Sequence, residues 1–376
     1  NNTTGADTVA IGHCALRANT TASNNTAIGS CSLTANTTGT PNTAVGMCSL
    51  QANTTGNDNV AIGYRALKLN TTTSSNVAVG VNSLANNVAS NNTAVGFSSL
   101  VANTTGTQNV AVGRQALASN TTASQNTAIG FCSALSTTTG ACNTSVGSQT
   151  LRDNTTGYCN SAFGCGSMAN NETGHCNTGL GIRTLVTNTT GCCNTAVGTD
   201  ALAFSSTGCN NVAVGLSALR CNTTASYNTS IGWKSSCLNT TGQFNTALGS
   251  GALDANTTAS YNTAIGSYSL SANTTGVNNT AVGQQALNAN TTGSYNTALG
   301  YNSLYTNTTG VENTSLGYNS NLNGTGDYNT TIGSSAGCTL STGSCNTLIG
   351  WIAGRTGSPF VVTSQSNRIV MGQSSV

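Results

Sequence analysis

The sequence predicts an all-β protein, a parallel β-solenoid or β-roll of 21 coils with a 17-residue repeat. Three observations carry that expectation. A Gly follows an aliphatic residue at Gly12, Gly29, Gly46, Gly63 and Gly80, and so on to Gly350, in steps of 17 apart from two steps of 16 that end at Gly96 and Gly333. Self-similarity at a fixed period marks a repeat architecture, and a 17-residue unit is too short for a helix pair or a propeller blade. Each unit also reads N-T-A-[IV]-G-x-x-[AS]-L-x-x-N-T-T-[GA]-x-x, a short apolar run closed by turn-forming residues.

Successive strand residues point to opposite faces, so Ala10, Ala27 and Ala44 oppose Ile11, Ile28 and Val45. Both faces are apolar, and a strand that is apolar on both sides has to be covered on both. A second short strand is expected with Ala15, Ser32 and Ser49 on one face and Leu16, Leu33 and Leu50 on the other. One face lines the interior and the other needs a partner. With two sizeable aliphatics per coil the core is thin, which predicts a homo-oligomer, a trimer about a central axis being favoured. End-to-end joining into a longer filament is a further expectation.

The repeated Gly calls for positive φ or for close approach of a neighbouring chain. Four residues before it stands Asn, as in Asn25, Asn42, Asn59 and Asn76, with Thr8 in the first coil. Stacked one rung per coil, these amides are expected to form a hydrogen-bonded ladder. At about 4.8 Å per coil the whole repeat would make a rod on the order of 100 Å long. Residues 1–350 read as the repetitive shaft, and 351–376, where the period breaks, as a cap or junction.

Composition removes several functions. Lys and Arg number 10 and Asp and Glu 8 among 376 residues, for a net charge of +2. That is far below the quarter or so usual in globular domains. No basic stripe exists for a phosphate backbone, so nucleic acid is not an expected partner. No apolar run approaches the roughly 18 residues that suggest a membrane span. The eight acids scatter over variable coil positions and no Lys follows the G-x-x-x-x-G spacings, so neither catalysis nor a cofactor is expected. The chain opens at Asn1 without Met, in mid-repeat, which suggests a processed or truncated form.

The motif TVAIG at Thr8 to Gly12, recurring as NTAIG and NVAVG, resembles the coil motif of trimeric autotransporter adhesin heads, which are left-handed parallel β-rolls. The unit NTAVGQQALNANTTG, Asn279 to Gly293, is more similar to repeats of bacterial and phage tail-fibre-like proteins. NTLIGWIAG, followed by SNRIVMGQSSV at Ser366 to Val376, resembles the terminal section of such repeats. In that family such a section commonly leads into an intramolecular chaperone domain of the endosialidase type, and none is recognised within this sequence. The resemblance implies a trimeric fibre used for attachment.

A second ladder comes from the Asn of the NTT turns. Asn2, Asn19, Asn36, Asn53, Asn70, Asn103, Asn120, Asn154, Asn171, Asn188, Asn222, Asn239, Asn256, Asn273, Asn290 and Asn307 each head an Asn-x-Thr sequon. Covalent N-linked glycans on exposed turns are one expectation and would keep so uncharged a chain hydrated. Turns in which Asn and Thr hydrogen-bond their own backbone are the other. STTTG at Ser136 to Gly140 keeps Thr without the Asn.

Fifteen Cys without metal-knuckle spacing indicate an oxidising, extracellular setting: secreted, cell-surface or virion-surface. Cysteines one coil apart stand about 4.8 Å from each other, within disulfide reach. The favoured pairs are Cys142 with Cys159, Cys176 with Cys193 and Cys192 with Cys209, with Cys221 and Cys237 also plausible. Zinc is the rival reading, weakened because the only two His, His13 and His175, lie in different regions. Tyr227, Tyr261, Tyr295 and Tyr328 share a coil position with Phe244, either as a sugar-binding strip or as rings stacked from coil to coil. The function expected is therefore a structural extracellular rod or fibre shaft. The alternatives are an adhesin that grips surface glycans and an ice-binding solenoid, the latter weakened because adjacent Thr residues of a strand face opposite ways.

Overall fold

The computed structural model describes residues 2–355 and 361–372. It is all β and solenoidal, with two compact units, residues 1–190 and 191–376. The first unit carries eleven strands, from Val9–Ile11 to Thr178–Leu180, and the second another eleven, from Thr195–Val197 to Ile369–Met371. Within each unit every strand pairs in parallel with its sequence neighbours. Val9, Ala10 and Ile11 lie beside Thr26, Ala27 and Ile28, so the register equals the 17-residue period. The 16-residue steps keep that register, with Val77 beside Thr93 and Thr314 beside Thr330, because the missing residue is taken out of the turns.

One more strand exists than the 21-coil reading expects. Ile349 pairs with Met371, so part of the segment expected as a cap is another coil, lengthened to 22 residues between Gly350 and Gly372. Residues 356–360 and 373–376 of that segment lie outside the described residues.

The strand side chains divide as alternation requires. Ala27, Ala44, Ala61 and Ala78 point inward and are fully buried, while Ile28 and Ile62 on the other face are exposed. The expected second strand is not formed. After each Gly the chain turns, with left-handed φ at alternate residues: 58° at Cys31 and 46° at Leu33, 57° at Cys48 and 47° at Leu50. Alternating handedness aims successive N–H groups in opposite directions along the stack. Cys31 N donates to His13 O of the preceding coil at 2.8 Å, and Leu33 N donates to Ser49 O of the following coil at 3.1 Å. Positive φ is uncommon for Leu, and it is held here by these in-register bonds and by burial. The curvature brings Ser32 and Leu33 to the same interior, so both are buried instead of opposing each other across a strand. The core of most coils is therefore one Ala from the strand and one Leu from the turn, as in the cluster Ala247, Leu253, Ala264 and Leu270.

The Gly ladder satisfies both expectations placed on it. Gly113 has φ +138°, and a Cβ built there would stand 2.3 Å from Gly130 O. Coil backbones touch at this corner, which excludes any side chain.

Candidate functional surfaces

Two asparagine ladders run through the interior. The first forms as expected: Asn42 N donates to Asn25 Oδ1 at 2.8 Å, and Asn59 N and Nδ2 both donate to Asn42 Oδ1 at 3.1 Å. Its free amide hydrogens cross the coil, Asn42 Nδ2 donating to Gly56 O at 2.9 Å.

The second ladder corrects the exposed-turn reading of the sequons. Asn19, Asn36, Asn53, Asn70, Asn103, Asn120, Asn154, Asn171, Asn188, Asn222, Asn239, Asn256, Asn273, Asn290 and Asn307 are buried. Asn2, in the first coil, is the exposed one among the sixteen. Asn53 Nδ2 donates to Asn36 Oδ1 at 2.9 Å and to Gly56 O of its own turn at 3.1 Å, while its Oδ1 accepts from Asn70 Nδ2 at 3.1 Å. The nitrogen that would carry a glycan is thus spent on two interior bonds. Where Asn is replaced the ladder weakens. Thr137 accepts from Asn154 Nδ2 at 3.4 Å, and Asn120 Oδ1, facing it from the other side, is buried without a hydrogen bond.

Of the two Thr that follow, the first is tied down, as when Thr37 Oγ1 donates to Thr54 O at 3.1 Å. The second, such as Thr38 or Thr55, is exposed. The buried asparagines of the sequons therefore build the inside of the solenoid, while the threonines that follow lie toward the surface. The substitutions of Asn by Thr137 and Ser205, both small hydrogen-bonding residues, were the sequence signal for an interior site.

All fifteen cysteines are free thiols in this structure, including the eight named as disulfide candidates. Cys142 Sγ contacts Gln125 Oε1 at 3.4 Å. Cys176 belongs to the first unit and Cys193 to the second. Cys221 N donates to Cys237 O at 3.0 Å, and burial pushes the Cys237 thiol up to about 11. Cys192 and Cys209 bring their sulfurs together, 2.8 Å apart, and the Cys193 thiol also interacts with Cys192. No group of three or more His, Cys, Asp or Glu among the described residues is arranged to hold a metal ion.

Part of the aromatic row stacks, while Tyr295 and Tyr328 are exposed. Tyr227, Phe244 and Tyr261 have centroids 5.0 and 5.2 Å apart with planes within 5°. Phe244 is sandwiched between the two tyrosines, each of which is stacked on one face only. A sugar platform needs open ring faces. Tyr158 stacks on His175 in the same way at 4.8 Å.

The outward strand face forms a repeated apolar surface. In the first unit Ile11, Ile28, Ile62, Ile129 and Leu180 are exposed just before the Gly ladder, and Met47, Val81, Phe97, Phe131 and Ile182 just after it. In the second, Ile231, Leu248, Leu299 and Leu316 are exposed just before the ladder Gly and Leu216, Trp233, Tyr301 and Tyr318 just after it. Charges in this zone are absorbed by rings: the Arg114 guanidinium lies 5.8 Å from both Phe97 and Phe131, and Lys234 Nζ 4.7 Å from Trp233. A salt bridge, Arg152 with Asp153 at 2.6 Å, lies elsewhere in the coil.

A cleft of about 430 Å³ sits at the first coil, lined by Thr8, Ala10, Leu16 and Asn19. These are the interior coil positions seen end-on. No helix of the described residues is long and apolar enough to cross a membrane. No model of a known protein family matches the chain, and no curated protein matches it.

Proposed function

We propose that the chain is a structural fibre shaft of an extracellular rod, whose copies associate side by side, as a trimer, through the aliphatic face of the strands. The observation that carries this reading is the repetition of exposed aliphatic and aromatic side chains on either side of the Gly ladder. Contiguous apolar patches beyond a few hundred square ångströms are rare on monomeric proteins. Eleven coils at about 4.8 Å give a strip roughly 50 Å long in each unit. A strip about 15 Å wide then offers roughly 750 Å², close to the 800 Å² or so that each partner contributes to a standard interface.

The rest of the surface supports the same reading. It is sparsely charged and hydroxyl-rich, and it presents the same groups coil after coil. Length, rigidity and lateral association are what such a design delivers.

Sedimentation velocity tests it. The wild-type chain is expected to sediment as an oligomer. Ile62→Asp with Ile129→Asp places two charges in the strip without touching the interior, and is expected to shift the chain toward monomer with an unchanged far-ultraviolet circular dichroism spectrum. A monomeric wild-type chain at concentrations where fibres assemble would overturn the association.

A further inference from the structure

The corner of the coil six residues before the ladder Gly has a regular job. Its side chain accepts a backbone N–H from the coil before: Asn57 N donates to Ser74 Oγ at 2.9 Å, Thr107 N to Ser124 Oγ at 3.0 Å and Cys209 N to Ser226 Oγ at 3.0 Å. At one step of the second unit both residues at this corner are cysteines. Cys192 N donates to Cys209 Sγ at 3.1 Å, so the Cys209 side chain is turned back toward the preceding rung as its serine counterparts are. The two sulfurs then stand 2.8 Å apart. A disulfide needs about 2.05 Å, with Cα atoms about 4.4–6.8 Å apart, a window that neighbouring rungs of a parallel stack satisfy.

The geometry points to an oxidisable staple: Cys192 and Cys209 form an intrachain disulfide between consecutive coils of the second unit, made by exchange with a small-molecule disulfide. At three other cysteines the thiol turns elsewhere. The Cys142 thiol turns to Gln125, the Cys31 thiol to Ser30 at 3.8 Å and the Cys14 thiol to His13 at 3.6 Å.

The place matters as well. The segment from Cys192 to Cys209 contains Ser205, which stands where other coils carry the ladder Asn. Asn222 Nδ2 reaches Ser205 Oγ at 3.4 Å, against 2.9 Å for a regular rung such as Asn53 on Asn36. The covalent link would span the coil whose interior rung is weakened.

The chemistry balances with oxidised glutathione as the electron acceptor. The Cys209 thiolate attacks one sulfur of the glutathione disulfide; that S–S bond breaks and a glutathione thiolate leaves, giving a mixed disulfide on Cys209. The Cys192 thiol then loses its proton to solvent and attacks the Cys209 sulfur, expelling the second glutathione thiolate. Two protein thiols are oxidised and one glutathione disulfide is reduced to two thiols. In the reduced pair the side-chain contact with Cys209, with burial second, pushes the Cys192 thiol up to about 12. Modification of Cys209 removes this restraint.

The purified full chain is incubated with excess oxidised glutathione, alkylated and mapped by peptide mass spectrometry. The expected result is a linked peptide joining Cys192 to Cys209, lighter than the two free peptides by two hydrogen atoms and absent after reduction. Cys209→Ser installs the residue used at the same corner by Ser226, so it keeps the fold, and it is expected to leave Cys192 fully alkylated or glutathionylated. Alkylation of both cysteines in the wild-type chain would overturn the proposal, as would a link from Cys192 to Cys193. The readout does not depend on whether copies associate, so it fails or succeeds separately from the fibre-shaft reading.

Discussion

Replacing Gly113 by Ala is expected to open the first unit locally at that coil. The residue sits at φ +138°, a conformation that L side chains rarely adopt, and an added Cβ would stand 2.3 Å from Gly130 O and 2.7 Å from its carbonyl carbon. Backbone of this kind strains a non-Gly residue by about 1–3 kcal/mol. Overpacking adds about 1–3 kcal/mol more, and here the clash is with a backbone that cannot step aside without moving the next coil. The control is Gly166, at φ +65°, where the nearest atom to an added Cβ is Arg183 Cγ at 3.8 Å. Other coils place Gln115, Gln149 and Arg183 at that corner with φ of 53–58°. Gly166→Asn is therefore expected to change stability by less than about 1 kcal/mol. Native-state hydrogen exchange checks both: protection should collapse around Gly113→Ala, spreading to adjacent coils because a solenoid is stabilised by nearest neighbours. Full protection in Gly113→Ala would mean that the coils do not touch at the glycine corner.

The second large effect belongs to the interior ladder. Asn53→Asp removes the amide that donates to Asn36 Oδ1 and Gly56 O and puts a carboxyl between two acceptors at a fully buried position. An unsatisfied buried polar group costs about 1–3 kcal/mol, and a buried charge more. At neutral pH the loss is expected to be about 3–5 kcal/mol, reflecting both orphaned acceptors and the charge. The pH dependence follows from linkage. Burial among acceptors raises the carboxyl pKa in the folded chain, so the folded state holds the proton more tightly than the unfolded one. Stability of the variant is then greatest below the unfolded value of about 3.9 and falls as pH rises, until the folded carboxyl has ionised. Asn53→Ala loses the same bonds without a charge and is expected to show no such slope relative to the wild type. Urea denaturation followed across pH separates the two. A variant that is as stable as wild type at neutral pH would place Asn53 outside the core.

The contrast between the two asparagines shows what a sequence of this kind discloses. A strict period states which residues stack, so the parallel register, the glycine corner and the Asn25-to-Asn76 ladder were all legible before any coordinates. Direction is another matter. The sequon at Asn53 reads as an exposed turn because that rule describes acceptors for enzymes, whereas here the same three residues close the inside of a coil. Leu33 and Ser32 were assigned to opposite faces because strand alternation was applied to a segment that instead alternates left- and right-handed residues, a pattern without a periodic hydrophobic signature. The last coil was missed because its length of 22 hides a conserved geometry: Asn367, Arg368, Ile369, Val370, Met371 and Gly372 repeat the approach to the corner, with Val370 buried where other coils carry Ala. Among the cysteines, spacing made several pairs equivalent, and only side-chain direction singles out Cys192 and Cys209.

The packing also explains why so little charge is needed within the coil. Main-chain groups bond to coils on both sides, the Asn ladders bond along the interior, and each Leu fills the remaining space. Such a unit is specified by hydrogen bonding as much as by apolar burial, which suits a chain in which aromatic residues are only 5%. The same regularity leaves the strand's outer face uniform, and uniform apolar faces are what lateral assembly uses.

Cryo-electron microscopy of the purified chain tests the central claim, that each repeat is one coil of an in-register parallel solenoid with its NTT asparagines inside. The account predicts density layers about 4.8 Å apart, one per repeat, with amide side chains of Asn36, Asn53 and Asn70 continuous along the interior. Layers at another spacing, or those side chains projecting into solvent with sugar attached, would contradict it.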